Sequence, residues 1–515
     1  MIRIGIDVGG TNTDAVVMDG ANVVAAVKSA TTRDVLGGVV DSLANVLEAA
    51  SMNAADVDAV MIGTTHFTNA VVQRRELAPT AAVRLGLPAT ASLPPMVDWP
   101  DDLKRAIGDH GYLAHGGNEF DGRPISALDA AELRGIAADI AAKGIDTIAI
   151  TSVFSPISDA VERQAAEIFG RALPLAHITL SSEIGRIGLL ERENAAIMNA
   201  CLRDLSARVV AAFRAAIAQI GIGGAFYLTQ NDGTLMDAGV AERFPVLTFA
   251  SGPTNSMRGA AFLSGVADAI VVDIGGTTTD VGALRKGFPR QATMAVDVGG
   301  VRTNFRMPDV FSIGLGGGSH VVETPHEVEI GPASVGYRLF TDALIFGGST
   351  LTTSDVVAAA GRADFGDARK VRHLAPDLVA RTQKRIMEML ETCVERSRVS
   401  ADPLPVVVVG GGSILVDGPI GGLEVIKPNH FAVANAVGAA IAQVSGEIDR
   451  VYALAEISRE RALDDARRRA TDAAIAAGAV RDSIEIVDVE DVPLAYLPGN
   501  ATRIHVRAVG ELRGG

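Results

Sequence analysis

Cysteine is scarce: Cys201 and Cys393 are the only two in 515 residues. Both fall in stretches that read as helix. A disulfide framework is therefore not expected, and a reducing cytoplasm is the natural compartment. A basic excess is missing too. Lys and Arg number 46 against 61 Asp and Glu, a formal charge of −15, which argues against nucleic acid or an anionic membrane as the main partner. No apolar run approaches the length of a membrane span. The only early one is interrupted by Asp7, so no leader is expected. A Gly-Lys pair occurs nowhere, which excludes a P-loop. With 48% hydrophobic and 21% charged residues, the chain reads as soluble and globular. Its length suffices for two or three domains with sizeable cores.

One pattern occurs twice. Residues 4–17 read IGIDVGGTNTDAVV and residues 270–284 read IVVDIGGTTTDVGAL. Aligned on their acids, both spell D-[VI]-G-G-T-x-T-D, from Asp7 to Asp14 and from Asp273 to Asp280. Each apolar run suits a buried strand. Each glycine pair suits a tight turn whose amides face a phosphate. An acid at the end of such a strand suits Mg²⁺, directly or through water. Duplication points to two related domains that each offer a phosphate-binding hairpin to one nucleotide. Gly9, Gly10, Thr11, Asn12, Gly275, Gly276, Thr277 and Thr278 are expected at the phosphates, with Asp7 and Asp273 at Mg²⁺ and in catalysis. The alternative, that each acid only caps its turn, is weakened by the repeat. Asp14 and Asp280 either join the site or bond their own turns.

A third glycine loop lies at 406–416, VVVVGGGSILV. Gly410, Gly411, Gly412 and Ser413 are expected against adenine and ribose. A dinucleotide fingerprint is the rival, but Leu415 stands where its third glycine belongs. Two phosphate hairpins and such a loop resemble the actin, heat-shock chaperone and sugar kinase superfamily. That resemblance implies an α/β fold of two actin-like, ribonuclease H-like ATPase domains around a nucleotide cleft.

Taken in order, residues 1–188 form the first half, with a Pro- and Gly-rich inserted subdomain at about 76–130 that holds the only tryptophan, Trp99. Residues 34–50 read as an amphipathic helix. Thr64, Thr65 and Asn69 follow the strand 57–62, at the edge where α/β sheets bind ligands, and are expected to line the cleft. His66 beside them is expected to be a hydrogen-bonded structural residue. Residues 189–220 read as one long helix that crosses into the second half, 189–450. Asp297 to Gly300 partly echo the repeat without its Thr and second Asp, and read as an ordinary hairpin. The helix 432–444 is lined with small residues that permit close helix approach. Residues 451–515 read as a small α+β tail, with a solvated helix at 458–477 and strands at 484–489 and 504–508. His115, His320 and His326 show no metal-ligand spacing.

The segments GIDVGGTNTD (5–14), GTTHFTNAVVQR (63–74), ERENAAIMNA (191–200), TFASGPTNSMRGA (248–260), VDIGGTTTDV (272–281) and SIGLGGGS (312–319) together resemble the hydantoinase A / 5-oxoprolinase family. That family is the ATP-dependent half of enzymes that open cyclic amides, and beta subunits of acetone-type carboxylases are related to it. The resemblance implies use of ATP and Mg²⁺, a small cyclic amide as substrate, and a separate hydrolytic subunit, with homo-oligomers also open. It raises Glu193 to a substrate or Mg²⁺ role on equal terms with a plain helix-dipole role. Asp309 and the loop from Gly316 and Gly317 to Ser319 either hold substrate or γ-phosphate, or form a tight turn. Two departures stand out: the tail is short, and residues 331–337 (GPASVGY) lack the cysteine of the family's Pro-Gly-Pro-Ala-Cys run.

Three functions compete. An ATP-dependent cyclic-amidase subunit would phosphorylate the amide oxygen, which makes the carbonyl carbon a better electrophile by positioning and electrostatics. A small-molecule kinase would release its phosphorylated product. A nucleotide-switched protein without enzymatic function, like a chaperone or filament protein, is the third.

Overall fold

The computed structural model describes residues 1–9, 12–30, 35–292, 295–324, 327–398, 403–495 and 499–513. Gly10, Thr11 and His326 lie outside them. The repeat folds as two hairpins of one design. Strand Ile2–Val8 pairs antiparallel with Asn12–Asp19, and Ala269–Ile274 pairs antiparallel with Thr279–Arg285. In each, the two motif acids stand directly opposite: Asp7 against Asp14, Asp273 against Asp280. Each first strand also pairs parallel with a later one, Ala59–Thr64 for the first hairpin and Val406–Val409 for the second. The same α/β unit is thus built twice, as expected of an actin-like pair. The parallel partners are buried on both faces, and residues 59–62 and 406–409 are apolar throughout, as central parallel strands favour.

The larger sheet has nine strands. Its order runs from Glu485–Pro493 through Ala501–Gly510, Gln443–Ala453, Thr234–Asp237, Ala225–Thr229 and Ala59–Thr64 to Ile2–Val8, Asn12–Asp19 and Asn22–Ala30. The strands read as a separate tail therefore extend the first sheet. Helix Arg459–Ala476 covers them with an alanine stripe, Ala462, Ala466, Ala470 and Ala474, against Ile504, Val506 and Ala508. Ala225–Thr229, within the residues assigned to the second half, pairs with Ala59–Thr64 in that same sheet. The second hairpin belongs to a six-stranded sheet of its own.

Residues 80–180 build a parallel sheet of four strands, Thr80–Leu87, His110–His115, Thr147–Ser152 and His177–Leu180. The insert therefore reaches past residue 130. Proline and glycine between its first two strands mask their period in the sequence. The long helix is two helices, Leu189–Cys201 and Arg203–Ile220, that meet at Leu202. The helix expected at 432–444 is shorter, Ala434–Ala440, because the strand from Gln443 follows at once. Residues 296–303 do form an ordinary hairpin.

Candidate functional site

The two hairpins and the third glycine loop converge on one cleft of about 710 Å³. Asp7, Gly9, Asn12, Asp273, Gly275, Gly276, Thr277, Thr278 and Gly410 to Gly412 all line it. The same bond closes both turns: Gly9 N–H donates to the Asn12 carbonyl at 3.0 Å, and Gly275 N–H to the Thr278 carbonyl at 2.9 Å. The third loop presses onto the second hairpin. At Gly410 the backbone has φ +85°, and a Cβ there would sit 2.2 Å from Asp273 Oδ1. Ser413 is buried behind the loop, where its hydroxyl donates to the Gly410 carbonyl at 2.6 Å.

The 316–318 segment supports the second turn. Gly317 and Gly318 donate their amides to the carbonyls of Gly275 (3.0 Å) and Gly276 (2.7 Å). Gly316 permits this approach, since a Cβ there would lie 2.6 Å from Thr277 N. Gly317 lines the cleft, and Gly316 sits behind it.

Three carboxylates, Asp7, Asp14 and Asp273, line the cleft with a single lysine, and Asp280 stands opposite Asp273 behind them. Lys28 pairs with Asp14 at 2.6 Å. Asn435 Nδ2 donates to Asp7 Oδ2 at 3.0 Å and to Asp14 Oδ2 at 2.9 Å, so it bridges the first hairpin's two acids. Burial, with Asp14 and Asp273 nearby, pushes the Asp7 carboxyl up to about 6 despite hydrogen bonds from Asn255 and Asn435. Burial raises Asp273 as well, and pushes Asp280 up to about 6 against a hydrogen bond from Ser312. Lys28 offsets only part of this negative charge, which is crowded in a poorly solvated place. The donor set, carboxylate oxygens opening on a cleft, fits a hard divalent cation, and Asp7 and Asp273 are the residues that could hold one.

Other expected residues lie elsewhere. Thr64, Thr65 and Asn69 form a polar patch beside the first hairpin, outside the cleft lining. The Thr64 hydroxyl is 2.6 Å from His66 Nδ1, and Asn69 Nδ2 donates to Thr65 Oγ1 at 3.2 Å. Burial holds His66 below its ordinary value, consistent with a neutral structural ring. Glu193 is buried away from the cleft, with Arg84 Nε donating to its Oε2 at 2.6 Å and Arg84 Nη2 to its other oxygen. Asp309 makes a half-exposed ion pair with Arg290 at 2.7 Å. Neither acid reaches the other site residues.

Sequence reasoning missed several lining residues. Lys28 had a signal, because it is the cross-strand neighbour of Asp14. Ser256 lies in the segment 248–260 but carried no assigned role there, and Asn435 had no signal, as it sits in a helix of small residues. Leu339, Phe340, Phe346, Phe365 and Ile414 give one end of the cleft an apolar wall. Phe346 stacks on Phe365 with centroids 6.0 Å apart. A wall of this kind beside a glycine loop suits a planar base.

Among known families, residues 3–173 match the hydantoinase/oxoprolinase N-terminal region and residues 192–367 match hydantoinase/oxoprolinase. The chain is 26% identical over 469 residues to caprolactamase subunit alpha of Pseudomonas jessenii, covering 85% of this chain and 65% of that one. It is 26% identical over 249 residues to the acetophenone carboxylase gamma subunit of Aromatoleum aromaticum, covering 46% and 34%. The chain thus spans less than two thirds of the length of these relatives. Two solved structures share the fold. ATP-dependent caprolactamase from Pseudomonas jessenii superposes with TM-score 0.79 at 19% identity, over 99% of this chain and 88% of that one. Nucleotide-free acetone carboxylase gives 0.72 at 18%, over 100% and 88%.

Proposed function

Because the chain belongs to the hydantoinase/oxoprolinase family, we propose that it is an ATP-dependent subunit that activates a cyclic amide, a lactam or hydantoin-like ring, for opening. The observation that carries the reading is the pair of acid-bearing hairpins with matching strand pairing that face one cleft, closed on a third side by Gly410 to Gly412. When bound, Mg²⁺·ATP supplies the phosphoryl group: the amide oxygen bonds to the γ-phosphorus as the bond to ADP breaks. The chain's own contribution is positioning and charge. Gly9, Gly275 and Gly276 present turn backbone to the phosphates, with Asn12, Thr277 and Thr278 as further donors. Asp7 and Asp273 hold the cation. Lys28 and Asn435 fix Asp14 and Asp7 in place, and the aromatic wall takes the base. Phosphoryl transfer needs little else from a protein. Hydrolysis of the activated ring falls to a separate subunit, a reading supported by relatives that are themselves named as subunits.

Mg·ATP turnover by the purified chain, across a panel that includes 5-oxoproline, hydantoins and larger lactams, tests this. ADP release stimulated by one ring names the substrate class. Release of a stable phosphorylated product in place of ring opening, with the partner present, would favour a kinase. Absence of nucleotide binding would overturn the assignment of the cleft.

A further inference from the structure

A second constellation lies at the far edge of the nine-stranded sheet, on strands Glu485–Pro493, Ala501–Gly510 and Gln443–Ala453. One face of these strands is charged. Arg503, His505 and Arg507 run down the central strand, Asp449 and Glu447 stand on one side, and Glu490 and Asp488 stand on the other. Most of these charges are matched. Arg503 is bonded to Asp449 through two nitrogens, Arg306 to Glu447, and Arg507 Nη1 to Asp232 at 3.4 Å. Arg290, across the neighbouring cavity, is committed to Asp309.

Two acids and one imidazole are left over. Among the described ion pairs, Glu490 has only Arg503, at 4.0 Å. Asp488 has only His505, whose Nδ1 is 3.7 Å from its Oδ2. His505 is fully buried, and neither ring nitrogen makes a hydrogen bond. Nδ1 points towards Asp488 and Nε2 towards Glu447, 3.5 Å from its Oε1. A buried imidazole without hydrogen bonds is costly unless something else takes its lone pair.

We propose that Asp488, Glu490 and His505 bind a divalent transition-metal ion of the zinc class. One ligand atom from each already lies within 4.8 Å of the other two. Bonds of about 2.0–2.2 Å bring such atoms to about 3.4 Å apart. Rotation of the two partly exposed carboxylates closes that gap, while His505 stays fixed. An imidazole with two carboxylates selects zinc, manganese or cobalt over magnesium and calcium, which prefer oxygen alone. His505 Nδ1 meets the ion, and Nε2–H faces the Glu447 carboxylate, the outer-shell partner that orients metal-bound histidines. Asp488 and Glu490 also line a cavity of about 450 Å³, which gives an entry path and room for water on the open positions. The opposite wall of that cavity includes Arg285 and Phe288, where the second strand of the second phosphate hairpin ends and turns back. Bound metal therefore sits beside the frame of that hairpin, outside the nucleotide cleft.

The test is a titration of the intact chain with Zn²⁺ in excess Mg²⁺, read by calorimetry, and with Co²⁺, read by its visible ligand-field absorption. One site per chain is expected. In the double variant Asp488→Asn, Glu490→Gln, affinity at that site should fall at least about 100-fold with nucleotide binding retained. His505→Gln should remove the Co²⁺ band. Should that variant fail to fold, the carboxylate pair, which reaches solvent, decides alone. Zn²⁺ binding of equal stoichiometry and affinity in the double variant would overturn the site, as would no zinc binding by the unaltered chain.

Discussion

Gly410→Ala against Gly411→Ala is the sharpest comparison the cleft offers. At position 410 the backbone, at φ +85° and ψ 160°, lies in a region essentially reserved for glycine, which costs a residue with a Cβ about 1–3 kcal/mol. The new methyl group would lie 2.2 Å from Asp273 Oδ1 and 2.4 Å from the Ile274 carbonyl. Ordinary contact requires about 1 Å more, so the loop or the Asp273 carboxylate must move, and overpacking of this kind costs about 1–3 kcal/mol. The sum is about 2–6 kcal/mol of lost stability. A Cβ at Gly411 meets nothing within 4 Å and needs no positive φ. Its substitution should stay within about 0.5 kcal/mol. Denaturant titrations of both variants measure the difference. Moving a positioning group by about 1 Å lowers phosphoryl transfer about 100-fold, so Gly410→Ala should also lose most Mg·ATP turnover. Equal stability of the two variants, or wild-type turnover in Gly410→Ala, would refute the contact between the third loop and the second hairpin as the source of geometry.

Four further outcomes follow from the same contacts. Asp273→Asn should abolish ATP turnover while circular dichroism and the unfolding transition stay close to wild type; an unchanged rate would remove the two-hairpin reading. Glu193→Ala should cost about 3–5 kcal/mol, because it strands the buried Arg84 charge; lost turnover at unchanged stability would instead restore a catalytic Glu193. With Asp7 lifted from 3.8 to about 6 in the folded chain, the native state holds a proton that the unfolded state has released. Stability of the ligand-free protein should therefore fall as pH rises through that window, by up to about 3 kcal/mol from this group. Mg·ADP affinity should rise over the same window because the cation displaces the proton, and pH-independent binding would contradict it. Burial pushes the Cys201 thiol up to about 12, so native protein should resist thiol reagents at about pH 8 and react only on unfolding; rapid native labelling at Cys201 would show that the helix Leu189–Cys201 opens.

The parts of the site that the sequence exposed are those whose chemistry is written locally. An acid, two glycines and a second acid seven residues on specify a hairpin with opposed carboxylates, and Asp7 and Asp273 stand where that pattern puts them. Glu193 was hidden because a buried ion pair and a catalytic acid look alike in sequence. Only the position of Arg84, more than one hundred residues away, tells them apart. Register hid the tail. Strands 485–493 and 501–510 alternate like any hairpin, and nothing local says that their partner is Gln443–Ala453 at the end of a nine-stranded sheet. The aromatic wall was equally silent, since Phe340, Phe346 and Phe365 come from separate turns that only the fold brings together.

Small residues, more than charged ones, decide how the acids of the two hairpins are held. Helices Ser251–Ser264 and Ala434–Ala440 cross almost in backbone contact: a Cβ on Gly259 would lie 1.8 Å from the Ala434 carbonyl, and one on Gly438 1.8 Å from the Asn255 carbonyl. Gly5 lets the second helix lie equally close to the first hairpin, 2.1 Å from such a Cβ to the Ala436 carbonyl. From this crossing Asn255 reaches Asp7 Oδ1 at 3.4 Å, Asn435 reaches both Asp7 and Asp14, and Ser256 faces the cleft beside Asp273. The amide donors that keep Asp7 in place thus hang on helices whose spacing, from each other and from the first hairpin, is set by three glycines. A methyl group at Gly438 would push the crossing apart by more than 1 Å, beyond what a 3.0 Å hydrogen bond from Asn435 tolerates. The geometry of the acidic centre is therefore a property of helix packing, and substitutions out of sight of any ligand should disable it as surely as loss of the acids themselves.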